Sequence, residues 1–281
     1  MKQIMPPKNL YRYRPSGSDF FEEEVRQLRN NGIFLTPAKF LNDPFDCNPA
    51  IQKSSIRDLT REIRRFGFEK FRKIRMDHAK ASGEYDPKRL QELRKRYETP
   101  TKSAIFESPL LNDLLSVYRK NDLRVSCLSE VHDSILMWSH YAEGHKGFVV
   151  KYKVLSPRGG SKTSAAPIKV NYVSDRPIFS SIDILLWRLD SLQGDEVHED
   201  PLLDAFYLSK AEIWSSEEEW RLIESASNGG GYYYYENMVP IQIIVGINMP
   251  ERNVEFLRKT LPEIDICRAR IDPVSYSMCF E

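Results

Sequence analysis

The period of the apolar residues changes along this chain, and that change limits the fold more than any single motif. Near both ends the pattern is that of strands. Asn9-Leu-Tyr-Arg-Tyr-Arg14 alternates, placing Leu10, Arg12 and Arg14 on one face and Tyr11 and Tyr13 on the other, and Phe148-Val-Val-Lys-Tyr152 and Ile241 to Ile247 are short apolar runs. Between them, from about Ser55 to Glu98, Ile56, Leu59, Ile63, Phe66, Phe71 and Ile74 recur at helical spacing, and a second helix begins after Asp86-Pro87. This middle stretch holds 14 Lys or Arg against 8 Asp or Glu, whereas the whole chain nets +1. Strands at both ends with helices between them predict an α+β fold. The expected core is a mixed, largely antiparallel sheet, with residues 1–281 as a single domain and 55–120 as a helical insertion within it.

Local signals supply the remaining elements. Asp19 is placed to cap a helix running to about Asn30, which Asn31-Gly32 would stop. Ile33 to Thr36 reads as a strand, and Phe40-Leu-Asn-Asp-Pro-Phe-Asp46 as a loop. Further helices are expected over Ser108–Tyr118, Ser134–Glu143 (capped by Asp133), Ile182–Leu192, Leu202–Ile213 and Glu251–Leu261. Strands are expected over Leu123–Ser129 and Ile168–Tyr172. Glu217–Glu224 and Gly231–Tyr235 should form a hairpin about Asn228-Gly-Gly-Gly231. Leu10, Ile33, Val125, Val149, Val170, Leu222, Ile244 and Ile271 are the expected core.

Composition removes several classes. Hydrophobic residues at 41% and charged residues at 29% suit a globular protein rather than a disordered one. Cys47, Cys127, Cys267 and Cys279 form no C-x-x-C pair, which argues against a structural zinc site and a disulfide scaffold, so no metal is expected. No apolar run nears the ~18 residues of a membrane span. A soluble, cytoplasmic protein without membrane contact is the expectation.

Five groups of residues bear chemistry. Trp138-Ser-His-Tyr-Ala-Glu-Gly-His-Lys-Gly147 is a helix-to-strand corner able to present His140, His145 and Lys146 to a cleft, although either histidine can also serve the backbone. In Lys210-x-x-x-Trp214-x-x-Glu217-x-Glu219-Trp220-Arg221, strand periodicity puts Glu217, Glu219 and Arg221 on one face. Two carboxylates there repel unless a cation or polar ligand fills the gap; the competing reading is a solvated hairpin edge neutralised by Arg221. Arg12 and Arg14 suit bidentate phosphate contact, but arginine on an edge strand is also common. Asn42 and Asp43 read first as turn formers, and Ser126 and Ser129 at a strand end say little alone.

Together these segments resemble a bacterial family known as domain of unknown function 2971. The resemblance lies in Leu10-Tyr-Arg-Tyr-Arg14, Phe40-Leu-Asn-Asp-Pro-Phe-Asp46, Ser126-Cys-Leu-Ser129, Met137-Trp-Ser-His-Tyr-Ala142 with His145-Lys-Gly147, and Trp214-x-x-Glu-x-Glu-Trp-Arg221. More distantly, arginine on a first strand, serine on a later one and then Glu-x-Glu are similar to the arginine–serine–glutamate ADP-ribosyltransferases. That resemblance implies an ADP-ribosyltransferase-like sheet and NAD as substrate. Arg14 or Arg12 would hold the NAD diphosphate or adjacent ribose, and Ser126 or Ser129 would brace the nicotinamide pocket. Glu219 would stabilise the oxocarbenium-like transition state, and Glu217 would position the acceptor. Trp138, Tyr141 and the run Tyr232–Tyr235 would flank nicotinamide or the target. His140 and His145 are counted among the binding residues without a settled role. The acceptor would be a macromolecule, protein or nucleic acid, in a toxin or antiviral-defence setting. The pattern departs from the transferases in lacking a clear Ser-Thr-Ser.

Two other readings stand beside it. A metal-dependent nuclease would draw ligands from Asp43, Asp46, His140, His145 and Glu219, but no compact metal signature is present. A binding module would use the basic segment 57–96, where Phe66, Phe68 and Phe71 are interleaved, to grip nucleic acid or an acidic protein.

Overall fold

The computed structural model describes residues 4–17, 19–52, 54–55, 57–58, 61–62, 123–156, 167–180, 182–183, 204–225 and 231–280. The chain divides into two compact units. The first draws on Met1–Pro44, Asn121–Ser174 and Lys210–Glu281, and the second on Phe45–Lys120 and Asp175–Ser209. The helical insertion expected at 55–120, its basic segment, and most of the helix expected over Ile182–Leu192 lie outside the described residues.

The alternation of Asn9-Leu-Tyr-Arg-Tyr-Arg14 makes strand β1 (Asn9–Arg14), and this strand stands in the middle of the first unit. On one side it pairs with β6 (Phe148–Val154), Leu10 opposite Tyr152 and Arg14 opposite Phe148. On the other it meets β5 (Leu123–Ser129) through Tyr11 and Ser129. Beyond β5 come β11 (Glu219–Ser225) and then β7 (Ile168–Lys169). Beyond β6 come β13 (Met238–Val245), β14 (Asp265–Ile271) and β15 (Met278–Phe280). β3 (Thr36–Pro37) joins β5 where β1 leaves it, completing nine strands. Among the described strands of this sheet only β13 and β14 pair in parallel, and the crossover between them is helix α3 (Glu251–Thr260). The described residues thus form a mixed α/β protein with a largely antiparallel, open sheet and few helices. None of the described helices is long and apolar enough to cross a membrane.

The two faces of the sheet bury different clusters. On one, Phe21, Val25 and Leu28 of helix α1 (Phe21–Leu28) and Val254 and Leu257 of α3 pack on Leu10, Leu128, Val150 and Leu222. On the other, Met137 and Trp138 of helix α2 (Ile135–Tyr141) pack with Tyr13, Val149, Ile244 and Ala269. Each fully buried aliphatic side chain contributes about 1.5–3 kcal/mol. α2 passes into β6 through Glu143, Gly144 and His145, all at positive φ, and Gly147 then runs against β1. A Cβ on Gly147 would stand 2.1 Å from the carbonyl oxygen of Arg14, a backbone atom that cannot swing aside. Gly147→Ala is therefore expected to cost about 3 kcal/mol, to be read from the urea midpoint.

Several expectations are corrected. Asp133 does not cap α2; the Ser134 hydroxyl accepts from Met137 N, because Ser134 holds the extended N-cap conformation. Asp19 does not cap α1, whose N-cap is Phe20 without a side-chain bond. Ile271 is 70% exposed near the sheet's edge and adds nothing to the core. Leu202–Ile213 is not one helix. A π-turn over Asp204–Leu208 gives way to strand β10 (Ser209–Ala211), which pairs with β8 (Asn171–Val173), and then to a 3-10 helix, Glu212–Glu217. Tertiary pairing with β8 outweighs helical periodicity there. The glycine-rich hairpin does not close either. β12 (Tyr232–Tyr234) pairs with β2 (Gly32–Phe34), whereas β11 is already flanked by β5 and β7.

In the second unit, β4 (Ala50–Gln52) and β9 (Ile178–Ser180) pair in parallel. Arg176 ties this pair to the carbonyl of Asn48, and Phe179 stacks on Phe206 with ring centroids 5.8 Å apart.

Candidate functional site

Lys210 sits at the middle of β10, so its side chain is carried across toward the start of β11. Between the two, the 3-10 helix ends at Glu217, and Glu218 turns the chain through a left-handed conformation at φ 43°. That turn breaks the strand periodicity expected from Glu217 onward, yet Glu217 and Glu219 still converge. Both carboxylates accept from the Lys210 ammonium, Glu219 at 2.9 Å. Arg221 completes the cluster: its Nε donates to Glu219 Oε1 at 2.7 Å and its Nη2 to Oε2 at 3.1 Å. All four side chains are buried. Two carboxylates on one patch are tolerated because a lysine and an arginine are built into it.

Neighbouring charge fixes the protonation states of Glu219 and Lys210. Burial alone would raise the Glu219 pKa, but Arg221 and Lys210 overcome it and bring the carboxylate down to about 2. Burial alone would lower the Lys210 pKa; Glu219 and Glu217 overcome it, and the ammonium is raised well above the usual lysine range. Lys210 is therefore a fixed cation rather than a nucleophile. Burial and then Glu217 raise the Tyr141 phenol, while burial dominates the rise at Tyr172. Both are neutral hydroxyls rather than bases.

A ring of polar and aromatic residues surrounds the cluster. Tyr141 donates to Glu217 Oε1 at 2.6 Å, and Asn42 Nδ2 donates to the Tyr141 oxygen at 3.3 Å. Trp214 lies beside Lys210, with the ammonium 5.3 Å from its ring centroid, and donates from Nε1 to Asp43 at 2.8 Å. His140 meets Trp214 edge-on at 6.4 Å. The backbone N–H of Glu219 donates to the Tyr172 hydroxyl, and the Ser129 hydroxyl donates to the Glu217 carbonyl at 2.6 Å. Cys127, paired in register with Arg221, is solvent-exposed and helps hold down the Glu219 pKa, so the cluster lies directly beneath accessible surface.

Of the residues expected from sequence, Glu217, Glu219, Ser129, Tyr141 and His140 come together. Trp138 is fully buried on the core side of α2, where its indole donates to the His132 carbonyl. His145 stacks on Trp138 at 6.1 Å and contacts Ser139; burial lowers its pKa. Arg12, Arg14 and Ser126 do not join the carboxylates. Tyr11, Ser129 and Glu219 are register partners and share the α2 side, so alternation puts Arg12, Arg14 and Ser126 on the α1 side. There both arginines pair with Glu24.

Sequence reasoning gave no role to Lys210 or Tyr172, and it read Asn42 and Asp43 as turn formers. Asn42 and Asp43 reach the cluster from a loop nearly a hundred positions before Tyr141, a proximity that no local pattern encodes. Among the described residues, no three His, Cys, Asp or Glu side chains gather as metal ligands would. No curated protein and no solved structure matches this chain. Over residues 137–222, which carry most of α2, Lys210, both carboxylates and Arg221, the chain is similar to the family described as Protein of unknown function (DUF2971).

Proposed function

We propose that the chain is an enzyme that transfers ADP-ribose from NAD to a macromolecular acceptor, with Glu217 facing the reacting ribose. One observation carries this reading: Glu217 and Glu219 are fixed around one buried lysine. Cleaving the bond between ribose C1′ and the nicotinamide nitrogen leaves the electron pair on nicotinamide and positive charge on the ribose. A preorganised carboxylate in a water-poor site is complementary to that charge. The acceptor nucleophile then bonds to C1′ and gives up its proton to solvent.

The geometry divides labour between the carboxylates. Glu219 accepts from Arg221 and Lys210 on both oxygens and has little field left for a substrate. Glu217 shares one oxygen with Lys210 and the other with Tyr141, a half-buried side chain at the rim that a ligand can displace. Trp214 and His140 supply a wall for a planar group. The fixed protonation states of Lys210, Tyr141 and Tyr172 suit a reaction whose main demand is charge stabilisation.

The test is incubation of purified protein with NAD labelled in the adenylate half, together with cell extract and nucleic acid. Transfer of label to macromolecules is the expected result, and free nicotinamide without transfer would point to NAD hydrolysis at the same site. Intact NAD under all conditions, with folded protein, would remove this reading.

A further inference from the structure

The segment Phe40-Leu-Asn-Asp-Pro44 reads as a turn, yet its side chains tie down both Tyr141 and Trp214. Asn42 donates from Nδ2 to the Tyr141 oxygen at 3.3 Å, and Tyr141 donates in turn to Glu217 Oε1. Asp43 accepts from Trp214 Nε1 at 2.8 Å. Two successive side chains thus reach α2 and the 3-10 helix that ends at Glu217. Asp43 is buried, and Pro44 after it biases its backbone to an extended conformation, so its carboxylate is presented with little freedom.

Trp214 and Glu217 lie three residues apart in the 3-10 helix Glu212–Glu217. At three residues per turn their side chains eclipse, offset by about 6 Å along the axis. A planar ring packed on Trp214 is therefore held one turn from the Glu217 carboxylate and on the same side of the helix. Where that ring sits depends on how the indole is turned. The Lys210 ammonium stands 5.3 Å from the indole centroid and His140 meets it edge-on at 6.4 Å, but both contacts tolerate rotation of the indole in its own plane. The bond to Asp43 does not, because an indole has a single donor and a charged acceptor makes that bond strong.

We propose that Asp43 is a positioning residue: by holding the Trp214 indole it sets the place of the substrate's planar ring relative to Glu217. This inference rests on the reading of Glu217 as the carboxylate that faces the reacting ribose. Asp43 acts through Trp214 and touches no reacting atom. It therefore governs how tightly substrate is held and leaves the stabilisation of developing charge to Glu217. Loss of the two residues should separate in the kinetics, Asp43 in KM and Glu217 in kcat.

Steady-state NAD cleavage by Asp43→Leu, Asp43→Asn and Trp214→Phe tests the assignment. Asp43→Leu, which lacks an acceptor, should raise KM about tenfold and change kcat less than about threefold, as loss of one hydrogen bond in binding would. Asp43→Asn keeps an oxygen for the indole and should recover most of that loss. Trp214→Phe keeps a ring without the N–H and should also raise KM. Asp43→Leu should add little in its presence, because the two changes break one interaction. Proton–nitrogen NMR gives a readout without substrate: the Trp214 indole N–H signal, identified by its loss in Trp214→Phe, should shift in Asp43→Asn. If circular dichroism shows Asp43→Leu to be unfolded, that shift and the KM of Trp214→Phe decide. A fall in kcat at constant KM in Asp43→Leu, additive effects in the double variant, KM unaltered by Trp214→Phe, or an indole signal indifferent to Asp43→Asn overturns the positioning role and leaves the transfer reading in place. Intact NAD with folded wild type overturns both.

Discussion

Glu219→Gln is expected to destabilise the protein by about 3–5 kcal/mol, the usual cost of breaking a buried ion pair from one side. Arg221 is fully buried and donates from both Nε and Nη2 to Glu219, so the variant removes the negative charge that these two bonds meet. Chemical denaturation measures the loss; a change below ~1 kcal/mol would mean the cluster is hydrated in solution. The pH dependence follows from the same pair. The Glu219 pKa is depressed in the fold, so its stabilising contribution is complete above the ordinary glutamate value of 4.5. It is lost as pH falls from there toward about 2. Wild type should lose stability across that window more steeply than Glu219→Gln does. The substitution is consequently a poor test of catalysis, because inactivity and unfolding would coincide.

Glu217→Gln separates the two. Lys210 keeps Glu219, and the Tyr141 hydroxyl can still donate to an amide oxygen, so stability should change by no more than about 1–2 kcal/mol. The rate of NAD cleavage should nevertheless fall about 10²–10³-fold, the range seen when a single group that stabilises transition-state charge is removed. The loss should appear in kcat rather than KM, because the substrate ground state lacks the charge that Glu217 meets. Undiminished kcat in a folded Glu217→Gln protein would exclude Glu217 as the reacting carboxylate. If kcat survived there but fell in a Glu219→Gln protein shown to be folded, the roles would have to be exchanged.

Strands were the most legible part of this sequence. The alternation of Asn9–Arg14 fixes its two faces, and both arginines lie on the face it gives them, paired with Glu24 of a helix, Arg12 buried and Arg14 partly so. What alternation cannot say is which face meets which partner. That depends on the register Tyr11–Ser129–Glu219, which joins three distant segments and separates the arginines from the carboxylates. The convergence of Glu217 and Glu219 was expected from period two but arises otherwise. A left-handed residue at Glu218 and a lysine delivered by β10 bring them together, and neither has a local signal. The glycine run at 228–231 spoke for a hairpin, but β12 pairs with β2, while β5 lines β11 along one edge and β7 meets Trp220 and Arg221 on the other.

The placement of β1 also bears on how the chain becomes folded. Its neighbours β5 and β6 lie more than a hundred positions later, and β13, next to β6, is later still. During synthesis β1 therefore has neither of its sheet neighbours until more than a hundred further residues have been made. Contacts of such long sequence separation slow folding, because loop closure comes before any pairing rewards it. Until then Leu10, Tyr11 and Tyr13 are exposed on a segment with both backbone edges unpaired, a state prone to association. Refolding from denaturant should accordingly be slow and sensitive to concentration, and removal of the first fourteen residues should abolish the sheet rather than trim its edge.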